Sequence, residues 1–379
     1  MGTKLCSTTS LRPALLPIML VVLLPFSSSH EEKAIDKLES VERLVLTTVA
    51  GPESLAFDRR GEGPYTGVSG GRILKWQGKG RGWTGFAVNA GNRKECCDTS
   101  DVSLESTCGR PLGLQFHKAT GVLYVADAYF GLLAVGPKGG AARRLAASAD
   151  GGRFNFTNGV DVDQGTGEVY FTDSSTRFQR PDYILSVITG DSTGRLMKYD
   201  PRTRKLTVLR RGLPFPNGVA LSGDGSFLLF AETGSCRVVK HWLRGPRTGA
   251  MEVFAELPGY PDNIRRTARG EYWVALNRQK IDLTSGGVPK DEKATKGKAA
   301  ATEHPVAMRL SGEGKVLEVL LDGGELASVS EVAEENGAIW IGSVELPYVE
   351  IISAIQEKLR RSHIHPNLDL HFKILKKQD

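Results

Sequence analysis

Four short segments, far apart in the chain, each present an oxygen-bearing side chain just ahead of an apolar run. They hold Glu53 (PESLAFD, 52–58), Asn158 (TNGV, 157–160), Asn217 (PNGV, 216–219), and Asp262 followed by Asn263 (PDNI, 261–264). Glutamate, asparagine and aspartate are hard oxygen donors, the set that Ca²⁺ collects and Zn²⁺ does not require. One Asn-Gly pair is an ordinary turn signal. Four such segments at quasi-regular intervals imply repeated units that each point one polar residue at a common axis. Two carboxylates among neutral amides balance a divalent cation. Ca²⁺ takes six to eight oxygens at about 2.4 Å, so waters or a ligand would complete the shell. The competing reading is that these residues cap the inner strands through Asx turns.

The elements that must position them are short strands joined by tight turns, with almost no helix. Residues 121–127 (GVLYVAD), 167–173 (GEVYFTD), 226–232 (SFLLFAE), 270–275 (GEYWVA) and 337–342 (GAIWIG) share one pattern. Each is a turn followed by a buried apolar strand. After most of them comes a strand with outward basic residues, as in 71–76 (GRILKW), 194–199 (GRLMKY) and 236–242 (CRVVKHW). The spacing is about forty to fifty residues, the size of a four-stranded propeller blade. Blade starts fall near Ser54, Pro111, Asn158, Asn217, Asp262 and Glu325. The expected fold is therefore all-β, a six-bladed β-propeller spanning 44–356. Residues 44–49 (LVLTTV) would supply the outer strand of the last blade and close the ring, which removes exposed sheet edges. Residues 285–302 suggest a polar loop inserted in blade five, and 351–361 a strand running into a short helix.

Composition sets wider bounds. The 379 residues carry 44 glycines, which suits many tight turns. The formal charge of +6 is mild. Much of it lies in 290–298 and in a basic tail, 357–379. No basic patch interleaved with aromatics argues for nucleic acid. Residues 1–29 have the pattern of a secretory signal peptide: Lys4 and Arg12, an apolar run over 14–26, then Ser27, Ser28 and Ser29. An uncleaved signal anchor is the alternative. Either places the rest of the chain in the secretory pathway, whether vacuole, endoplasmic reticulum or extracellular space. The sequon at Asn155 (NFT) fits that compartment. Cys6 would leave with the signal peptide. A local disulfide is expected between Cys108 and one of the adjacent Cys96 and Cys97, and spacing does not choose between them.

Residues 108–114 (CGRPLGL), 167–176 (GEVYFTDSST), 194–201 (GRLMKYDP), 216–221 (PNGVAL), 239–243 (VKHWL) and 259–265 (GYPDNIR) point to a family. Through them the chain resembles plant strictosidine synthase-like proteins over nearly all of its length after the leader. The resemblance implies a six-bladed propeller related to paraoxonases, gluconolactonase-type lactonases and an animal membrane-associated arylesterase. It implies two activities. One condenses tryptamine with the aldehyde secologanin, using a glutamate as acid/base before the last inner strand. Counting back from Trp340, Ile341 and Gly342 places Ser330 there, and a serine cannot trade protons unaided. Glu331 is one residue on, and strand alternation turns it to the opposite face. The expected His-Phe pair is replaced by Leu326 and Ala327. The other activity is hydrolysis with a calcium held by Glu, Asn, Asn and Asp at the inner-strand starts, matched here by Glu53, Asn158, Asn217, Asp262 and Asn263. The histidine pair of the paraoxonases finds no match near Ala128, and His117, His241 and His304 lie elsewhere. Asp127 and Asp173 end buried strands facing the channel mouth. Asp173 is the candidate general base, with turn capping as its alternative role.

The expectation is a calcium-dependent hydrolase of esters or lactones in plant metabolism, acting on a small molecule, with no membrane span after leader removal. The alternatives are amine–aldehyde condensation in alkaloid biosynthesis, and a non-catalytic propeller with structural calcium that binds a metabolite or partner.

Overall fold

The computed structural model describes residues 33–35, 41–89, 94–279, 304–322 and 328–353. The chain divides after Glu31. The expected signal peptide, the loop at 285–302, Leu326, Ala327 and the basic tail lie outside the described residues.

Six blades of four antiparallel strands follow one another along the chain, two of them extended by a short fifth strand paired in parallel (Gly140–Ala141 on blade I and Lys33–Ile35 on blade V), so the propeller expected from the repeats is the fold that forms. Blades I to VI take their inner strands from Leu55–Ala56, Pro111–His117, Thr157–Val162, Pro216–Leu221, Gly259–Arg266 and Glu331–Glu335. Each inner strand pairs antiparallel with the next, as in the run Thr157–Val162, Val169–Asp173, Gly194–Asp200, Lys205–Leu213 of blade III. Blade VI differs. Its outer strand is Glu42–Val45 from the start of the chain, with Leu44 opposite Val349. This is the ring closure foreseen at 44–49, but only its first part is strand. Leu46 and Val49 turn inward and pack on Val68 and Leu74 of blade I. The inner strand of blade VI begins at Glu331, later than the expected start near Glu325.

The core is divided into wedges between adjacent blades. Ala220 and Leu229 of blade IV pack on Ile264 and Val274 of blade V, and Leu114 and Val125 of blade II pack on Ala56 and Ile73 of blade I. Strands buried on both faces explain the unbroken apolar runs in the sequence.

The two ends of the ring are unlike. Where the inner strands begin, the connections are long, as between Val88 and Pro111 and over 174–193. At the other end they are tight turns, such as 118–121 and 267–271. Long loops on a rigid scaffold are where function concentrates. A cavity of about 470 Å³ opens at the turn end, lined among others by Gln115, Asp161, Arg265, Arg266 and Glu334.

Candidate metal centre

Four of the six inner strands share an irregularity at their first residues. Their register with the second strand breaks between Pro111 and Gly113, Thr157 and Val160, Pro216 and Val219, and Pro261 and Ile264. Such a bulge re-aims a side chain and bends the strand. Glycine follows for a steric reason. A Cβ on Gly159 would lie 2.5 Å from Asn217 O, and one on Gly218 would lie 2.5 Å from Asn263 Cα. The Asn-Gly pairs therefore mark places where the backbone of the next blade crosses close by, and they are not turns.

The bulges of blades III, IV and V hold Asn158, Asn217, Asp262 and Asn263, and Glu53 joins them from the residues just before the inner strand of blade I. Glu53, Asn158, Asn217, Asp262 and Asn263 are all buried, with 2 to 7% of their surface exposed. Asn217 Nδ2 donates to Asp262 Oδ1 (2.8 Å), and Asn263 Nδ2 to Glu53 Oε1 (3.1 Å). Asn277 Nδ2 donates to Asp262 Oδ2 (3.2 Å), and Asn158 Nδ2 to Ser174 Oγ (3.1 Å). Among the described residues three acceptors of this group remain buried without a partner: Glu53 Oε2, Asn158 Oδ1 and Asn217 Oδ1. Among the described residues no backbone N–H donates to any of these five side chains, as turn capping would require.

The electrostatics agree with a site built for positive charge. Burial pushes the Glu53 carboxyl well above its usual range, and the charges of Asp262 and Glu331 push it further, against Arg110. Burial likewise raises Asp262 to about 7, against the hydrogen bonds from Asn277 and Asn217. Buried carboxylates and orphaned amide oxygens cost free energy until something positive meets them. Among the described residues no three His, Cys, Asp or Glu side chains gather as a transition-metal site would need. Two carboxylates with amides instead fit a hard cation.

Other elements fix the surroundings. Asn89 Nδ2 donates to Asp127 Oδ2 (2.6 Å), while the N–H groups of Tyr129 and Phe130 donate to Oδ1 (2.9 and 2.8 Å). Asp173 has the same role in blade III. Its Oδ1 accepts the N–H groups of Asn155 (3.1 Å) and Phe156 (2.8 Å), and its Oδ2 accepts Arg195 Nη2 (2.5 Å). Oδ1 of Asp173 thus holds the loop that leads into Asn158, while Oδ2 is taken up by Arg195 of the third strand. Phe156 in that loop meets Phe215, the residue two before Asn217, edge to face at 5.4 Å. With Leu112, Ala128, Tyr129, Tyr183 and Val344 they form an apolar cluster. Sequence reading did not find this wall, whose members come from separate blades.

Ser330 is fully buried, and its Oγ donates to Glu53 O (2.8 Å). Glu331 points elsewhere, into an ion pair with Arg265, whose Nη2 also donates to Ser54 Oγ (2.7 Å) and Leu114 O (3.2 Å). That arginine knits blades I, II, V and VI beneath the ring. The disulfide joins Cys96 to Cys108, and Cys97 lies outside it. The amide of Asn155 is half-buried and donates to Phe178 O (2.8 Å). His117 sits at the turn end beside Thr120, and His241 is buried in the third strand of blade IV.

Fold and site together define a six-bladed propeller with an oxygen-rich ring where its inner strands begin. Residues 36–76 match the family model described as strictosidine synthase-like, N-terminal, and residues 158–246 match that of strictosidine synthase. The chain is 49% identical over 345 residues to Protein STRICTOSIDINE SYNTHASE-LIKE 10 of Arabidopsis thaliana, covering 83% of this chain and 88% of that one. It is 43% identical over 348 residues to Protein STRICTOSIDINE SYNTHASE-LIKE 3 of the same plant, covering 86% and 88%. The chain belongs to the strictosidine synthase-like family. Among solved structures it resembles a gluconolactonase from Xanthomonas campestris (TM-score 0.57, 16% identity, 82% and 88% covered). A calcium-binding protein, regucalcin, from Agrobacterium tumefaciens is also similar (TM-score 0.51, 14% identity, 82% and 92% covered). At such identities the likeness is one of fold.

Proposed function

We propose that the protein is a calcium-dependent hydrolase of esters or lactones that acts on a small metabolite in the secretory pathway. The observation that carries this reading is the set of three buried, partnerless acceptor oxygens on Glu53, Asn158 and Asn217, beside the carboxylate of Asp262. Glu53, Asn158, Asn217, Asp262 and Asn263 would hold the ion. Bound calcium would supply polarisation of a substrate carbonyl and stabilisation of developing negative charge. Phe156 and Phe215 would face the apolar part of the substrate and keep bulk water out. Asp173 would act by position, holding the loop that carries Phe156. The neighbours titled gluconolactonase and calcium-binding protein support the class of chemistry, and only as a likeness of fold. The Cys96–Cys108 disulfide supports an oxidising compartment.

Amine–aldehyde condensation is less well supported. Ser330 Oγ is bonded to a backbone carbonyl, and Glu331 is held by Arg265, so neither stands ready as an acid/base. The deciding experiment assays the purified protein on a panel of aryl esters and lactones, with calcium and with EDTA. Turnover that needs calcium supports the hydrolase. Calcium binding without turnover on any member favours a propeller that only binds its ligand. Robust condensation of tryptamine with secologanin would overturn the hydrolase reading.

A further inference from the structure

Arg110 stands directly before the inner strand of blade II, with 2% of its surface exposed. Its Nη2 donates to Gly51 O (2.9 Å) and Val344 O (3.2 Å). Gly51 lies two residues before Glu53, and Val344 follows the second strand of blade VI. One guanidinium thus ties blades II, I and VI together at the seam of the ring, next to a residue of the cation site. The backbone is moulded around it. Gly51 has φ +71°, and a Cβ there would lie 2.3 Å from both Arg110 Nη2 and Val344 O. Among the described residues Arg110 Nη1 is buried without a partner, as is Glu53 Oε2.

Arg110 is itself held from the other side. Its Nε faces Glu105 Oε1 at 3.6 Å, and Glu105 also binds Arg180 (2.5 and 2.6 Å) and Tyr129 Oη (3.0 Å). Glu105 opens the short helix Glu105–Cys108, whose last residue carries the disulfide. Cys108 is fully buried and wedged on blade I, where a Cβ on Gly71 would lie 1.8 Å from Cys108 O. A short series of bonded groups therefore runs from the disulfide through Glu105 and Arg110 to the backbone ahead of Glu53.

We propose that Arg110 is a positioning residue for the cation site and that the Cys96–Cys108 disulfide holds it in place, so that reduction of this loop weakens cation binding. The inference rests on the cation reading of the ring. Reduction by a dithiol breaks the S–S bond and leaves two cysteine thiols. The dithiol supplies two electrons and two protons and becomes a disulfide itself. A lysine cannot reproduce the effect of Arg110, because Nη2 meets Gly51 O and Val344 O while Nε faces Glu105 Oε1, and an ammonium has only one nitrogen to place. Charge alone predicts the opposite sign, since removing a positive group near a cation should tighten its binding.

The test titrates calcium into the chelator-treated full chain by calorimetry and records melting in EDTA alongside. Arg110→Lys and Arg110→Met should both weaken calcium binding about tenfold or more, as loss of an outer partner does at other metal sites. Wild type reduced with dithiothreitol should bind about fivefold more weakly or worse, the lower range of coupling between sites. Arg309→Lys, in the ion pair with Glu318 between the third and fourth strands of blade V, should lower melting and leave affinity unchanged. The proposal is overturned if Arg110→Lys binds as wild type and Arg110→Met binds more tightly, or if reduction leaves affinity unchanged. Should the Arg110 variants not fold, the oxidised and reduced wild type decide alone. If wild type binds no calcium, the cation reading fails and takes this proposal with it. If wild type binds and the shifts do not appear, only this proposal fails.

Discussion

Asn158 and Asn217 each keep an amide oxygen buried without a partner, a condition that costs about 1–3 kcal/mol per group. Folding tolerates that cost where a ligand later meets the oxygens. Asn217→Ala should therefore lose most of the rise in melting temperature that calcium gives wild type, while melting in EDTA changes little. Scanning calorimetry with and without calcium checks both halves. Asp262→Asn removes a charge from the ring, so calcium affinity and any calcium-dependent ester or lactone turnover should fall together. Parallel calcium titrations and steady-state kinetics measure this. These five residues were legible in the sequence because their type and spacing repeat. Arg110 and Arg265 were not legible, since the contacts that define them reach across the ring, to Val344 and to Ser54. No local pattern announces a contact of that range. Ser330 was placed by counting, but its hydrogen bond to Glu53 O could only be seen once the last blade lay beside the first.

At the level of elements, Asn-Gly misleads if it is taken for a turn. It is here a bulged strand start with the neighbouring blade passing over the glycine. Gly159→Ala should force the Asn217 carbonyl away and destabilise by about 1–3 kcal/mol, a typical cost of overpacking, and should weaken calcium binding as well. Denaturant melts and calcium titration test this pair of effects. Asp173→Asn breaks a buried ion pair and should cost about 3–5 kcal/mol. If it instead abolished turnover with stability intact, Asp173 would be the base. Blade IV offers a pH test. Burial, aided by the charge of Arg210, lowers His241 to about 4 from its usual 6.5. The folded state then resists protonation while the unfolded state accepts it. The contribution of His241 to stability is thus fully present above pH 6.5 and is lost as pH falls toward 4. Wild type should lose stability relative to His241→Gln across that window, read from paired melts. The strand pattern made the blades visible because burial on both faces leaves apolar runs. The strand Gly140–Ala141, which pairs parallel with blade I, is too short to leave any pattern.

For the molecule as a whole, the six repeats were enough to fix a ring, and the outer strand of blade VI was correctly sought near the start of the chain. What the repeats could not show is which wedge carries the ring's polar network, because that depends on side chains from blades far apart in sequence. Removing the chain up to residue 46 should leave the edge of Tyr348–Ser353 unpaired, take Arg43 from Glu350, and produce an aggregating protein without a cooperative melt. Size-exclusion chromatography and calorimetry of the truncated form would show it.

That closure also imposes an order in time. Arg43 and its partner Glu350 stand 307 residues apart. At about 5–20 residues per second of synthesis, the first strand must wait roughly 15–60 s before its neighbour exists. Through that interval the growing chain is an open arc with a bare edge at each end, and the first strand has nothing to pair with. The ring of oxygen donors is incomplete as well, since Asp262 and Asn263 emerge long after Glu53. Birth on the ribosome is then the period in which this protein most needs protection, and the five oxygen donors can meet only after Asn263 has emerged.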